Sequence, residues 1–254
     1  MRSKGLRRLV VAATLIAPQG TKRWLFRHVL GWDVADTARI GMSWIDVAHV
    51  SMGEGARIGH FTVARDLTDL VLGDRASIGQ WNWVSASPMF LAADRAAGSA
   101  SFRGLRIGSD SALTSRHYVD CSGGVTIGHH TTIGGVRSTI LTHQIDLAES
   151  RQTASGVTIG DYCFVSSNAT VTPGSSLANR AVVAMGATVA GALREGGVLY
   201  AGVPARVVRR DIDDFLYYRR RLGFVSVEPS ELEPMPRSLE PEGPNVDSEG
   251  PNVD

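Results

Sequence analysis

The sequence predicts an all-β solenoid whose short strands turn a corner every six residues. Three observations carry this prediction. Aliphatic residues recur at a spacing of six, mostly small residues stand two positions before each of them, and the same signature returns along most of the chain. An α-helix has a period of 3.6 residues and a half-buried strand a period of two, so neither produces this pattern.

The repeat is most regular in one stretch of the C-terminal half. Its aliphatic positions are Ile159, Val165, Val171, Leu177, Val183 and Val189. The preceding positions are Val157, Cys163, Ala169, Ser175, Ala181 and Ala187. Three such sides close a triangular coil of about 18 residues. One aliphatic side chain per side points inward, and small residues fit the crowded corners.

The same spacing continues upstream with shifts in register, and Asp46 is a misfit between Ile40 and Met52. The shifts locate insertions near residues 66–70, 85–106 and 143–156. We therefore predict an N-terminal helical segment over residues 1–37 and a solenoid domain over residues 38–210. A short C-terminal helix over 211–225 and a disordered tail over 226–254 follow, because the tail is rich in proline and acid and has few apolar residues.

Composition excludes several classes of protein. The 254 residues carry a net charge of +1, which argues against wholesale nucleic-acid binding. Apolar runs stay below the roughly 18 residues that a membrane span needs, although the run at residues 9–17 weakly imitates a secretory signal. Two cysteines are too few for a disulfide framework, and this favours the cytoplasm.

Charge is unevenly distributed along the chain. Residues 1–30 hold seven cations and no acid, whereas residues 226–254 hold eight acids and one arginine. The basic segment is either a packing helix with a solvated face, which we favour, or a weak contact with an anionic membrane surface.

Several motifs carry a resemblance to a known family. The blocks VTIG (residues 125–128 and 157–160), ARIG (56–59), ILTHQIDL (140–147) and GVPARVVR (202–209) resemble the hexapeptide-repeat acyltransferases, and most of all the galactoside, maltose and colanic-acid O-acetyltransferase group. The resemblance implies a left-handed parallel β-helix, acetyl-CoA or another acyl-CoA as donor, and a sugar or glycan hydroxyl as acceptor. It also implies a homotrimer, an active site between neighbouring coils, a histidine base and no metal.

Among seven histidines, His143 is the candidate general base. A neutral imidazole can remove the acceptor proton, and His143 opens an insertion, where a rigid coil best presents a catalytic group. Its place also matches the catalytic histidine of the family. His129 and His130 follow a coil corner and are expected to be solvent-facing, with a role in the acceptor site as the alternative. His117 is expected to be buried.

A second group must fix the tautomer of the base. Asp146 and Glu149 are close to His143 in sequence, and a backbone carbonyl would serve equally well. Asp120 stands where relatives often carry an asparagine that helps to hold the acceptor, and an aspartate there would accept hydrogen bonds from sugar hydroxyls.

The donor site is placed by resemblance. The pantetheine arm would pass Ser167 and Met185, with Phe164 as an aromatic wall and Asn168 as a lining residue. Pro204, Arg206 and Arg209 match positions near the adenine and phosphates, where arginine pairs well with phosphate oxygens. The alternative for the arginines is a solvated basic cap on the last coil.

Other functions stay open at this point. Amino-sugar N-acetylation is the nearest alternative, since the sequence does not separate hydroxyl from amine acceptors. A γ-class carbonic anhydrase shares the fold but needs three histidines around zinc, and the histidine spacing here does not fit. A non-catalytic trimeric scaffold is the third alternative.

Overall fold

The computed structural model describes residues 4–98, 101–223 and 225. Within these residues the chain forms a left-handed parallel β-helix whose three faces are sheets of short, stacked strands. Within the regular coils, consecutive strands belong to different faces, and each pairs in parallel with its neighbours in the adjacent coils. The predicted all-β solenoid is therefore confirmed.

The first sheet contains β1 (Asp33–Val34), β4 (His49–Met52), β7 (Asp69–Leu72), β10 (Leu105–Ile107), β13 (Val125–Ile127), β18 (Val157–Ile159), β21 (Ser176–Leu177) and β24 (Ala192–Leu193). The second contains β2 (Arg39–Ile40), β5 (Arg57–Ile58), β8 (Ser77–Ile78), β11 (Ala112–Leu113), β14 (Thr132–Ile133), β19 (Phe164–Val165), β22 (Val182–Val183), β25 (Leu199–Ala201) and the antiparallel β26 (Arg206–Arg209). The third contains β3 (Trp44–Asp46), β6 (Val63–Arg65), β9 (Trp83–Ser85), β12 (Tyr118–Asp120), β15 (Thr139–Ile140), β20 (Thr170–Val171) and β23 (Thr188–Val189).

The core is a column of aliphatic side chains inside the coils. The six aliphatic positions between Ile159 and Val189 are at most 3% exposed, and the six positions preceding them are at most 1% exposed. Each fully buried aliphatic side chain stabilises the fold by about 1.5–3 kcal/mol. The six-residue period therefore reports the inward direction of the side chains correctly.

The misfit Asp46 has a structural explanation. Ile45 supplies the inward side chain at this coil, and Asp46 points outward under the N-terminal helix, where its side chain is 1% exposed. Arg7 and Arg8 of that helix hold its carboxylate at 2.5 and 2.8 Å. A buried carboxylate requires such partners, so the misfit marks the attachment of another element.

The N-terminal segment closes the first coil. Helices α1 (Lys4–Thr14) and α2 (Gln19–Trp24) lead into a π-helical turn at Leu25–Leu30. Lys22 is 4% exposed and donates to the carbonyls of Ile40 and Gly41, which satisfies backbone groups at the open end of the solenoid. Strand β1 begins before residue 38, so the first coil starts earlier than the predicted domain boundary. None of the helices in the described ranges has the length and apolarity to cross a membrane.

The C-terminal helix expected over residues 211–225 is present only as a 3-10 turn at Leu216–Arg219. The segment lies as a strap across the second sheet: Tyr217 Oη donates to the carbonyl of Cys163 at 2.8 Å, and Tyr218 Oη to that of Arg180 at 3.0 Å. The predicted disordered tail, residues 226–254, lies outside the described residues.

Candidate active site

Two insertions leave the solenoid at one corner, between the third and first sheets. Helix α3 (Pro88–Ala96) lies between β9 and β10, and the antiparallel hairpin of β16 (His143–Asp146) and β17 (Arg151–Ala154) lies between β15 and β18. Strand β12, in the coil between them, turns this corner without an insertion. We call this region the site corner; it contains Asp120, Ser122, Thr142 and His143.

A carboxylate and an imidazole meet at the site corner. Asp120 Oδ2 lies 2.8 Å from Nδ1 of His143. The Asp120 side chain is 3% exposed and that of His143 is 36% exposed. Within the described part of the chain, Nε2 of His143 has no protein partner. The buried carboxylate therefore fixes the ring through Nδ1, while Nε2 stays accessible.

The carboxylate of Asp120 is held at both oxygens. Ser122 Oγ donates to Oδ1 at 2.6 Å, and the Thr142 backbone N–H donates to Oδ2 at 2.8 Å. Burial alone raises the pKa of Asp120, but the hydrogen bonds from Ser122, Thr142 and His143 outweigh burial and hold the pKa below its usual value. Asp120 is therefore ionised, and an ionised acceptor places the imidazole proton on Nδ1.

The insertion at α3 covers the dyad of Asp120 and His143. The Phe90 ring meets the His143 ring at a centroid distance of 6.1 Å and an interplanar angle of 60°. The backbone N–H of Ser87, which precedes the helix, donates to Ser122 Oγ at 2.9 Å. Helix α3 is thus fastened to the same serine that holds Asp120.

Arg103 locks the end of this insertion in place. Its guanidinium pairs with Asp94 through Nε and Nη2, at 2.5 and 2.7 Å, and Nη1 donates to the carbonyl of Ser122. The same group lies 5.1 Å from the centroid of the Phe90 ring. Arg103 therefore contacts two residues that touch the dyad. Ser122 hydrogen-bonds Asp120, and the Phe90 ring contacts His143.

Asp146 and Glu149, predicted from sequence proximity as orienting residues, have other partners. Asp146 accepts from the backbone N–H groups of Ala148 and Glu149 in its own turn, and Glu149 pairs with Arg151. Strand β16 runs away from the coil, so these acids lie along the hairpin beyond His143. The acid that contacts His143 is Asp120, which is distant in sequence and one coil away.

The other histidines near a corner have structural partners. His117 is 2% exposed, and its Nδ1 accepts from the N–H of Ser138 while Nε2 lies 2.9 Å from Thr114 Oγ1. Burial lowers the pKa of His117 to about 4, so it is neutral near pH 7. His129 is exposed, and its Nδ1 accepts from the N–H of Ser109 at 3.0 Å. His130 stacks on Tyr162 at 4.6 Å.

Part of the predicted donor site forms a column at the corner between the second and third sheets. Ser167 and Met185 lie in successive coils of this corner, since the N–H of Gly186 donates to the carbonyl of Ser167. Asn168 has a φ of 57°, and Met185 is 69% exposed. Pro204 follows a cis peptide bond just after β25, in the next coil of the same corner.

The remaining predicted donor residues lie elsewhere. Phe164 is on the outer face of the second sheet, where Tyr217 of the strap meets its ring edge-on at 6.0 Å. Arg209 lies 5.2 Å from the Phe215 ring, and both line an apolar cavity of about 240 Å³ with Phe164. Arg206 is exposed and donates to the carbonyl of Ala205. Phe164 and Arg209 thus lie beside the strap on the second sheet and not in the exposed column.

Sequence reasoning missed Ser122, Thr142, Phe90 and Arg103. Thr142 precedes His143 directly and Ser122 follows Asp120 by two residues, so both were within reach of a search around the candidate residues. Phe90 and Arg103 belong to an insertion that has no repeat, so no periodicity in the sequence predicts where their side chains lie. Within the described ranges, no group of three or more His, Cys, Asp or Glu side chains is arranged to hold a metal ion.

Comparison with known proteins assigns the architecture. No protein-family model and no curated protein sequence matches the chain. Among solved structures, the polysialic acid O-acetyltransferase OatWY is 14% identical, over 71% of this chain and 85% of that one, with a TM-score of 0.50. This similarity shows the fold.

Two further solved structures have lower similarity scores. A hexapeptide-repeat acetyltransferase of Vibrio cholerae, VCA0836 with bound acetyl coenzyme A, is 15% identical over 82% of this chain and 86% of its own, with a TM-score of 0.44. The N-acyltransferase AntD of Bacillus cereus, with dTDP and coenzyme A, is 12% identical over 70% and 80%, with a TM-score of 0.39.

Proposed function

We propose that the protein is an acyl-CoA-dependent O-acyltransferase that transfers an acetyl group to a hydroxyl of a sugar or glycan. The observation that carries the proposal is the dyad of Asp120 and His143, whose free Nε2 opens onto an insertion. The hexapeptide-repeat motifs and the acetyltransferases of the same fold support an acyl-CoA donor.

The chain's own residues account for the chemistry. Nδ1–H of His143 donates to Asp120, so Nε2 carries a lone pair and can accept the acceptor's hydroxyl proton. The oxygen then attacks the thioester carbonyl, the carbon–sulfur bond breaks, and the proton held by Nε2 passes to the leaving CoA thiolate. Asp120 stabilises the imidazolium that exists between these steps.

The donor column and the dyad stand at opposite edges of the third sheet. A side of the coil is about six residues long, which corresponds to roughly 15–20 Å. We propose a homotrimer in which a neighbouring copy brings its donor column, with Ser167 and Met185, against the dyad. Aromatic rings exposed near this sheet support an interface: Phe61 and Trp81 stack at 4.5 Å and are 44% and 55% exposed.

The arginines of the last coil have different expected roles. We propose that exposed Arg206 contacts the CoA phosphates, whereas Arg209 acts on the strap through Phe215. We also propose a cytoplasmic location, because Cys121 and Cys163 are unpaired thiols and disulfides persist mainly in oxidising compartments.

The experiment is a transfer assay on the full chain with acetyl-CoA and a panel of sugars and amino sugars, with CoA release and product mass as readouts. His143→Ala should lower transfer by about 10²–10⁴-fold while acetyl-CoA binding persists. His129→Ala, a change at an exposed corner histidine, is the matched control and should retain activity.

Four outcomes would contradict parts of the proposal. Full activity of His143→Ala would show that His143 is not the general base. Transfer to amino sugars alone would show that the acceptor group is an amine and not a hydroxyl. An absence of acetyl-CoA binding would favour a non-catalytic scaffold. Sedimentation as a stable monomer would contradict the proposed trimer.

A further inference from the structure

The outward face of helix α1 is apolar. The helix packs Val10 and Val11 inward, where they are 8% and 1% exposed. On the opposite side Leu9 is 72% exposed, Ala12 and Ala13 are exposed, and Ile16, two residues after the helix, is 86% exposed. A surface helix of a globular protein normally presents polar residues to water, so this face has the character of a contact surface.

Positive charge borders the N-terminal end of this face. Lys4 and Arg8 are about half exposed, with side-chain exposures of 53% and 52%. Their carboxylate partners lie beneath them: the side chains of Asp66 and Asp46 are 4% and 1% exposed. The cations are therefore the outer layer of these ion pairs.

The ion-pair cluster also has excess positive charge. Lys4, Arg7, Arg8 and Arg65 contribute four charges against the two of Asp46 and Asp66, which leaves +2. Because two arginines of α1 grip one buried carboxylate, the helix is anchored to the solenoid and presents its outer face as a fixed platform.

We infer that the outward face of α1 docks on a phospholipid bilayer that carries anionic headgroups. An apolar face bordered by basic residues is the combination with which interfacial helices bind such surfaces. A second copy meeting the same face would oppose two positively charged clusters, which is unfavourable.

Docking would also orient the site corner. A cavity of about 490 Å³ lies between α1 and α3, lined by Lys4 and Arg7 on one side and by Leu91 and Arg95 on the other. Because Phe90 of α3 contacts His143, a bilayer beneath α1 would lie on the side of the molecule that carries the dyad.

The test is co-sedimentation of the full-length protein with vesicles. We expect binding to phosphatidylcholine vesicles that contain phosphatidylglycerol, little binding to phosphatidylcholine alone, and weakening as salt is added. Leu9→Ser and Ile16→Ser should each weaken binding about tenfold, because each removes a large apolar side chain from the contact. Leu216→Ser, a change at a half-exposed leucine on the strap, should bind as the unmodified protein does.

Two results would overturn the inference. One is equal vesicle binding by the Leu9→Ser, Ile16→Ser and unmodified proteins. The other is a change in oligomeric state caused by these substitutions without vesicles, which would assign the face to a second copy. Equal melting temperatures will show that all variants are folded, since both positions lie on the surface.

Discussion

The regular coils from β18 to β23 and the site corner differ in whether the chain follows the six-residue repeat. In the regular coils every sixth side chain enters the core, and neighbouring strands repeat the same contacts. At the site corner the chain leaves the repeat twice, and side chains from different coils and insertions converge on Asp120 and His143. The comparison teaches that the repeat supplies rigidity, whereas its interruptions supply the chemistry.

Core positions of the regular coils should respond to substitution through stability alone. Ile159→Ala removes a side chain that is 1% exposed and should lower the free energy of unfolding by about 2–5 kcal/mol. Ile145→Ala makes the same change at a hairpin residue that is 63% exposed, and it should cost below about 0.5 kcal/mol. Denaturant unfolding measures both, and equal losses would contradict the contrast.

The buried His117 should make the fold sensitive to acid. Its folded pKa of about 4 lies below the unfolded value of 6.5, so the unfolded chain binds the proton first as pH falls. Stability from this group is complete above pH 6.5 and is lost as pH falls from there to about 4, by roughly 3 kcal/mol.

Unfolding at several pH values tests the role of His117. His117→Gln keeps an acceptor for Ser138 and a donor for Thr114 but does not titrate, so its stability should vary less over that interval. Identical pH dependence in both proteins would assign the acid sensitivity to other groups.

Substitutions of Arg103 test whether the insertion that contains α3 affects the rate of transfer. Arg103→Met should lower kcat about tenfold, because Phe90 and Ser122 lose their shared anchor and small displacements of catalytic groups reduce rates. Arg103→Lys keeps the charge but not the planar fork and should recover only part of the rate. Kinetics at saturating acetyl-CoA distinguish this effect from donor binding, and an unchanged kcat would confine Arg103 to structure.

Deletion of residues 226–254 should have the smallest effect. The segment has few apolar residues and many prolines and acids, so it contributes little to a packed core. Melting temperature and acetyl-CoA affinity should match those of the full chain. A large loss of thermal stability would instead show that the tail docks on the folded domain.

The repeat made most of the fold predictable. A period of six specifies which side chains point inward, and Ile159 to Val189 all do so. Irregular segments were less predictable. Residues 211–223 form a strap with a single 3-10 turn and no α-helix, because their contacts with corner carbonyls depend on a surface that the local sequence does not describe.

The candidate site was predictable in its residues but not in their connections. His143 and Asp120 were both identified from sequence, yet Asp146 and Glu149 were expected to orient the histidine because they are near it along the chain. In a solenoid, residues one coil apart are closer in space than residues a few positions apart on an extended hairpin.

The sequence by itself determined the coil, the inward residues and the insertion points, because these depend on periodicity and side-chain size. The tertiary structure decided which acid meets His143, where α3 lies, and which face of α1 is exposed. These outcomes depend on the stacking of coils and on the lengths of the insertions, which bring Asp120, Phe90 and Arg103 together across long separations in sequence.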